Sequence, residues 1–170
     1  MQSIMTIDPA KKSGIASSSR RNGSWSPYVS ETIDLSKIKG NGPVYFEYSR
    51  QICITIRKYQ PDFIGFEMPL PKNFAAARMQ LAMIGIIEQE IYVWNCDFGW
   101  CYPNKIKEFH LGKKDAARKG SKERVHEVVR RRFAVGENMD ETDAIALLDL
   151  IVTTQATGEL SEWLNLKDIK

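Results

Sequence analysis

Cysteine and histidine are scarce in this chain, with three and two copies in 170 residues. Cys96 and Cys101 have four residues between them and no matching Cys or His pair elsewhere, so a tetrahedral zinc site lacks its partners. The odd third thiol, Cys53, fits reduced cysteines better than a disulfide framework. His110 and His126 sit in no metal-binding or catalytic motif and read as ordinary residues. No apolar run approaches the roughly 20 residues of a membrane span, and the N-terminus lacks a charged-then-apolar leader. The expectation is a soluble, cytoplasmic protein with no membrane partner. At 43% hydrophobic content the chain suits one domain over residues 1–170 with a full core.

What the chain does have is acid set against apolar sequence. Ile4-Met5-Thr6-Ile7-Asp8 and Phe63-Ile64-Gly65-Phe66-Glu67 read as short apolar strands, each ending in a carboxylate. Ligands of open α/β sheets bind beyond the carboxyl ends of parallel strands. Met139-Asp140-Glu141-Thr142-Asp143-Ala144 opens an apolar helix, in which Asp140 and Asp143 are three apart and neighbour each other on one face. Glu141 is turned roughly 100° from Asp140 and sits three after Asn138, a spacing that predicts a capping pair instead of a ligand role. Carboxylates at a core edge are costly unless compensated. Four aimed at one place, Asp8, Glu67, Asp140 and Asp143, point to a hard divalent cation of the kind held by carboxylates and substrate phosphate.

The remaining pattern is mixed α/β. Residues 4–8, 13–18 and about 25–33 predict a strand meander with turns at Gly14 and Asn22-Gly23, the third strand being interrupted by Pro27. Residues 44–59 predict a helix ended by Pro61, 62–67 a strand, and 73 to about 94 a long helix. Within that helix Leu81-Ala82-Met83-Ile84-Gly85-Ile86-Ile87 is apolar all round and must be covered on more than one side. Met79 and Met83 read as adaptable packing.

Net charge is only +3, yet it is unevenly placed. Residues 102–132 hold eleven Lys or Arg against four acids, a net of +7 that leaves −4 for the rest of the chain. Such asymmetry is an electrostatic footprint for a phosphate backbone. Val125, Val128, Val129 and Phe133 give this stretch an apolar stripe at helical spacing, while Lys122, His126 and Arg130 share another face. Lys113, Lys114, Arg118 and Lys119, between Gly112 and Gly120, make the strongest DNA-contact candidates.

Ile7-Asp8-Pro9, Ser13-Gly14-Ile15-Ala16, Phe66-Glu67, Lys107 with the loop from Gly112 to Lys122, and Asp140-Glu141-Thr142-Asp143-Ala144 follow one another in an order and spacing that resembles the RuvC family of Holliday-junction resolvases. The resemblance runs from Ile4 to about Thr154. It implies an α/β, ribonuclease H-like fold: a mixed five-stranded sheet flanked by helices, forming a single RuvC-type nuclease domain. Two positions differ from the usual family pattern. Ala10 replaces a glycine, and Leu70 stands where many members place an aromatic that stacks on DNA, leaving Phe74 as the nearest aromatic.

Carried over residue by residue, the resemblance implies that Asp8, Glu67, Asp140 and Asp143 bind two Mg²⁺ or Mn²⁺ ions, with Asp8 bridging them. Lys107 and Lys122 match catalytically important lysines that position or neutralise phosphate. The implied partner is branched DNA and the implied assembly a homodimer formed across the apolar long helix. The implied reaction is resolution of a four-way junction by paired symmetric nicks that leave 5′-phosphate and 3′-hydroxyl ends. Alternatives are a less selective flap or branch nuclease, a ribonuclease H-type enzyme, and a non-catalytic DNA-binding dimer.

Overall fold

The computed structural model describes residues 1–70, 74–134 and 138–167, without the side chains of 74–76. Strands β1 (Ser3–Asp8), β2 (Lys12–Arg21), β3 (Ser24–Trp25) and β4 (Val29–Asp34) come first. Helix α1 (Asn41–Tyr59), β5 (Phe63–Glu67), α2 (Phe74–Trp94) and β6 (Asp97–Cys101) follow. Next are α3 (Pro103–Leu111), α4 (Lys113–Ala116), α5 (Ser121–Phe133), α6 (Met139–Thr157), α7 (Leu160–Trp163) and β7 (Asn165–Lys167).

All strands among the described residues join one sheet. β1 lies between antiparallel β2 and parallel β5; β6 continues parallel and β7 closes that edge antiparallel. β4 pairs with the first half of β2 and β3 with its end. The five expected strands are therefore joined by two short ones. One arises because the expected strand at 25–33 is split at residues 26–28 around Pro27, which has no N–H to give a ladder. The other, β7, lies beyond the last expected element.

Strand alternation sorts the sheet into two faces. Met5, Ile7, Ile64 and Phe66 pack with α1 and α2, while Ile4 and Phe63 pack with α6 and its cover of α3 and α5. Thr6, on the second face, donates its hydroxyl to the Ala144 carbonyl of α6 at 2.7 Å. By the same parity Asp8 and Glu67 end their strands on the α6 side. Gly65 makes room for that helix, since a Cβ there would lie 2.4 Å from Ile151 Cδ1.

Helix α2 is covered less evenly than its composition suggests. Met83, Ile84 and Ile87 are buried against the chain's own core, whereas Leu81 is 54% exposed and Tyr92 is 75% exposed. Among the described residues no helix is long and apolar enough to cross a membrane. Cys53, Cys96 and Cys101 are free thiols, the latter two buried.

Candidate active site

Three elements deliver the four acids. Ile7 pairs with Phe66 in register, so Asp8 and Glu67 come next on adjacent parallel strands. Asp140 and Asp143 sit at the start of α6, where Asn138 caps the helix by accepting the Glu141 backbone N–H at 2.9 Å. Glu141 has the structural role expected of it. Its carboxylate accepts hydrogen bonds from Ser30 at 2.9 Å, Thr32 at 2.8 Å and the Asn138 amide at 3.0 Å, fastening α6 to β4.

Glu67, Lys107, Lys122 and Asp143 line one small cleft of ≈ 40 Å³ with Pro103, Ile106 and Val125. Asp8 is close enough to Asp143, Lys122 and Asp140 to feel their charge. Its carboxyl is pushed up from an ordinary 3.8 to about 7, first by desolvation, then by Asp143 and Asp140, with Lys122 opposing. Glu67 is pushed up to about 8 by desolvation, Asp8 and Asp143, against Lys122 and Lys107. Asp140 is raised as well, by desolvation and Asp143, and is opposed by Lys122 and by Lys12, a cation outside the sequence-based set. Burial first, and the acids' mutual repulsion second, thus outweigh what the lysines remove.

Helix α5 supplies the counter-charge. Lys122 Nζ lies 2.6 Å from Asp143 Oδ2. Desolvation works to lower the Lys122 pKa, but the hydrogen bond and charge of Asp143 more than offset it, and the ammonium is held above its ordinary value. One turn later His126 Nε2 lies 2.7 Å from Asp143 Oδ1. Sequence reading treats His126 as ordinary, yet the structure places it on a candidate ligand. The signal was its i, i+4 spacing from Lys122 together with its place beside the valine stripe, where it is buried with Val125 and Val129. Lys122 and His126 both engage Asp143, and among the described residues no group of three His, Cys, Asp or Glu is arranged to hold a metal.

The other basic candidates lie outside the cleft. Lys113, Lys114, Arg118 and Lys119 are exposed on and after α4, a single turn within the expected loop, and Arg118 pairs with Asp115 at 2.7 Å. Phe74 begins α2, but its side chain lies outside the described residues. His110 packs behind the site, Nε2 3.0 Å from the Ala146 carbonyl and Nδ1 3.9 Å from Asp149. Asp149 is 1% exposed and accepts from Arg132 at 2.8 Å, so one member of the arginine run at 130–132 serves a buried carboxylate.

The fold matches that of Thermus thermophilus RuvC, with a TM-score of 0.77 over 97% of this chain and 99% of that one. The chain has the RuvC fold. Sequence identity to that RuvC is 13%. A structure of T. thermophilus RuvC in complex with Holliday junction substrate matches with a TM-score of 0.76 at 12% identity, with the same coverage. No family model and no curated protein matches the sequence. The RuvC likeness is therefore one of architecture, shared at low identity over nearly the whole chain.

Proposed function

We propose that this chain is a metal-dependent endonuclease that resolves four-way DNA junctions by paired symmetric nicks. The observation that carries the reading is the convergence of Asp8, Glu67, Asp140 and Asp143 with Lys107 and Lys122 at the carboxyl ends of β1 and β5. The donor set suits hard divalent cations: carboxylate oxygens in mutual repulsion, three of them held above their ordinary pKa. Asp8, Glu67, Asp140 and Asp143 would hold two Mg²⁺ or Mn²⁺ ions. When bound, such a pair supplies the charge that activates water and stabilises the leaving oxygen in phosphodiester hydrolysis.

The chain's own residues do the rest. Lys122 and Lys107, both lining the cleft, fix the scissile phosphate and offset charge that grows in the transition state. Lys113, Lys114, Arg118 and Lys119 hold the flanking backbone through sequence-independent contacts. The exposed side of α2 around Leu81 and Tyr92 pairs two copies, so that two clefts act on one junction. This fold is also that of a RuvC solved in complex with Holliday junction substrate, which favours branched DNA as the partner. Leu70, exposed in place of an aromatic, supports a second reading as a less selective flap or branch nuclease.

One experiment tests both readings. Purified protein is incubated with and without Mg²⁺ on a four-way junction, a flap, an RNA–DNA hybrid and linear duplex. Junction resolution that requires Mg²⁺ is expected. Equal cutting of flap and junction selects the second reading, and no cutting of any substrate rejects both.

A further inference from the structure

The contacts of Asp143 are unequal in a way that assigns a role to His126. Its two carboxylate oxygens face different partners: Oδ2 meets Lys122 Nζ at 2.6 Å and Oδ1 meets His126 Nε2 at 2.7 Å. A carboxylate that holds a cation only accepts, so in that role Asp143 would take its hydrogen bond from Nε2 as donor. Lys122 and His126 are i, i+4 on α5 and so rise on one face. Their surroundings differ sharply. The Lys122 side chain is 52% exposed and lines the cleft, whereas that of His126 is 5% exposed.

A half-exposed ammonium on a flexible stem can leave one anion for another at little cost. A buried imidazole packed between helices cannot. We propose that His126 is a positioning residue that holds Asp143 in place, freeing Lys122 to move from the carboxylate to the DNA phosphate. This inference rests on the metal-dependent nuclease reading above. On that reading, once Lys122 turns to phosphate, Asp143 would keep a fixed orientation only through His126, with Oδ2 left open toward the cation. Outer-shell donors of this kind orient a ligand before the metal arrives.

The test uses full-length protein with three substitutions. His126→Ala removes the donor; His126→Asn keeps a polar group too short to reach; His126→Gln places an amide N–H at nearly the reach of Nε2. Mn²⁺ binding to the DNA-free protein is measured by titration calorimetry. Single-turnover cleavage and junction affinity are measured beside it, with thermal melting as the check on folding. His126→Ala and His126→Asn are expected to weaken Mn²⁺ binding and slow cleavage by about 10- to 100-fold, with junction affinity unchanged. His126→Gln is expected to restore both to within a few fold of wild type.

The inference is overturned if a folded His126→Asn or His126→Ala protein binds Mn²⁺ as wild type does. It is equally overturned if folded His126→Gln is as defective as His126→Asn, since the hydrogen bond would then not be what matters. If His126→Ala does not fold, the Asn and Gln pair still decides. Wild-type protein that binds no Mn²⁺ removes the metal reading itself, an outcome separate from any difference among the variants.

Discussion

Gly14 and Asp140 are in closer contact than any side chain at position 14 would permit. Gly14 pairs with Asp8 in the β1–β2 ladder, and a Cβ added to it would fall 1.8 Å from the Asp140 carbonyl oxygen and 2.3 Å from its carbonyl carbon. Both obstructing atoms are backbone, so no rotamer change relieves the overlap. The missing side chain is what lets the first turn of α6 settle beside Asp8. Gly14→Ala is therefore expected to destabilise the fold by about 1–3 kcal/mol or more, and to cut cleavage beyond any loss of folded protein because Asp140 is displaced. Urea denaturation and cleavage at matched folded concentration check the two effects.

The burial of the acids, reinforced by their mutual repulsion, predicts how stability depends on pH. Asp8 and Glu67 have folded pKa values of about 7 and about 8, above the ordinary 3.8 and 4.5 of an unfolded chain. The folded protein therefore binds protons that the unfolded chain has released. This contribution is present in full below about pH 4 and is lost as pH rises through 7 and 8. In EDTA the denaturation midpoint should fall between pH 6 and 8, and less so in Asp8→Asn. Saturating Mn²⁺ should stabilise wild type more at pH 8 than at pH 5. A midpoint that rises over this interval in EDTA would contradict the raised pKa values.

Asp8→Asn should also abolish cleavage while leaving junction binding intact, because it removes a ligand and spares the basic surface. Gel-shift and cleavage assays on one preparation decide this. Parallel loss of both activities in a folded protein would remove Asp8 from the metal site.

Lysines inside and outside the cleft should separate by assay. Neutralising Lys113 and Lys114 together should weaken junction binding and flatten its salt dependence by about two phosphate contacts. Lys122→Ala should instead lower the single-turnover rate more than affinity, since its charge acts where negative charge develops. If the rate at saturating protein is unchanged, Lys122 belongs to the basic surface alone.

Assembly is tested best at residues that the chain leaves exposed. Leu81 and Tyr92 lie on one stripe of α2, eleven residues or about three turns apart. The Leu81→Glu, Tyr92→Glu double variant should stay folded, run as a monomer in light scattering and lose paired cuts while keeping single nicks. Ile84→Asp is a poor probe, because Ile84 is core and its charge would be buried within one chain.

The positions of the acids were legible because strand alternation and helical period fix where they point, and both are written in local sequence. Asp8 and Glu67 share parity with buried neighbours, and Asn138 with Glu141 spells its own cap. The role of His126 was not legible, since its partner is seventeen residues away on another helix and only packing of α5 on α6 brings them together. Likewise α3, nine residues opened by Pro103, is lost to sequence reading inside a run of charge. The apolar composition of α2 shows that it must be covered but not by what. Its buried residues turned out to face α1 and the sheet.

Asp149 has a consequence for how far the walls of this cleft can move. One buried carboxylate meets His110 of α3, Arg132 of α5 and Tyr28 ahead of β4, and is itself part of α6. Any sliding of these helices would strand that charge without partners, which is strongly disfavoured. The backbones of α3, α5 and α6 accordingly keep a fixed spacing, like the jaws of a rigid die, even where a side chain such as Lys122 can turn. If the proposed nuclease reading holds, a stiff cleft does not mould itself to its substrate, so the bending would fall to the nucleic acid. Branch points, where stacking is interrupted, yield more readily than continuous duplex. On the proposed nuclease reading, a preference for branched DNA would then follow from the stiffness of the protein as much as from any contact it makes.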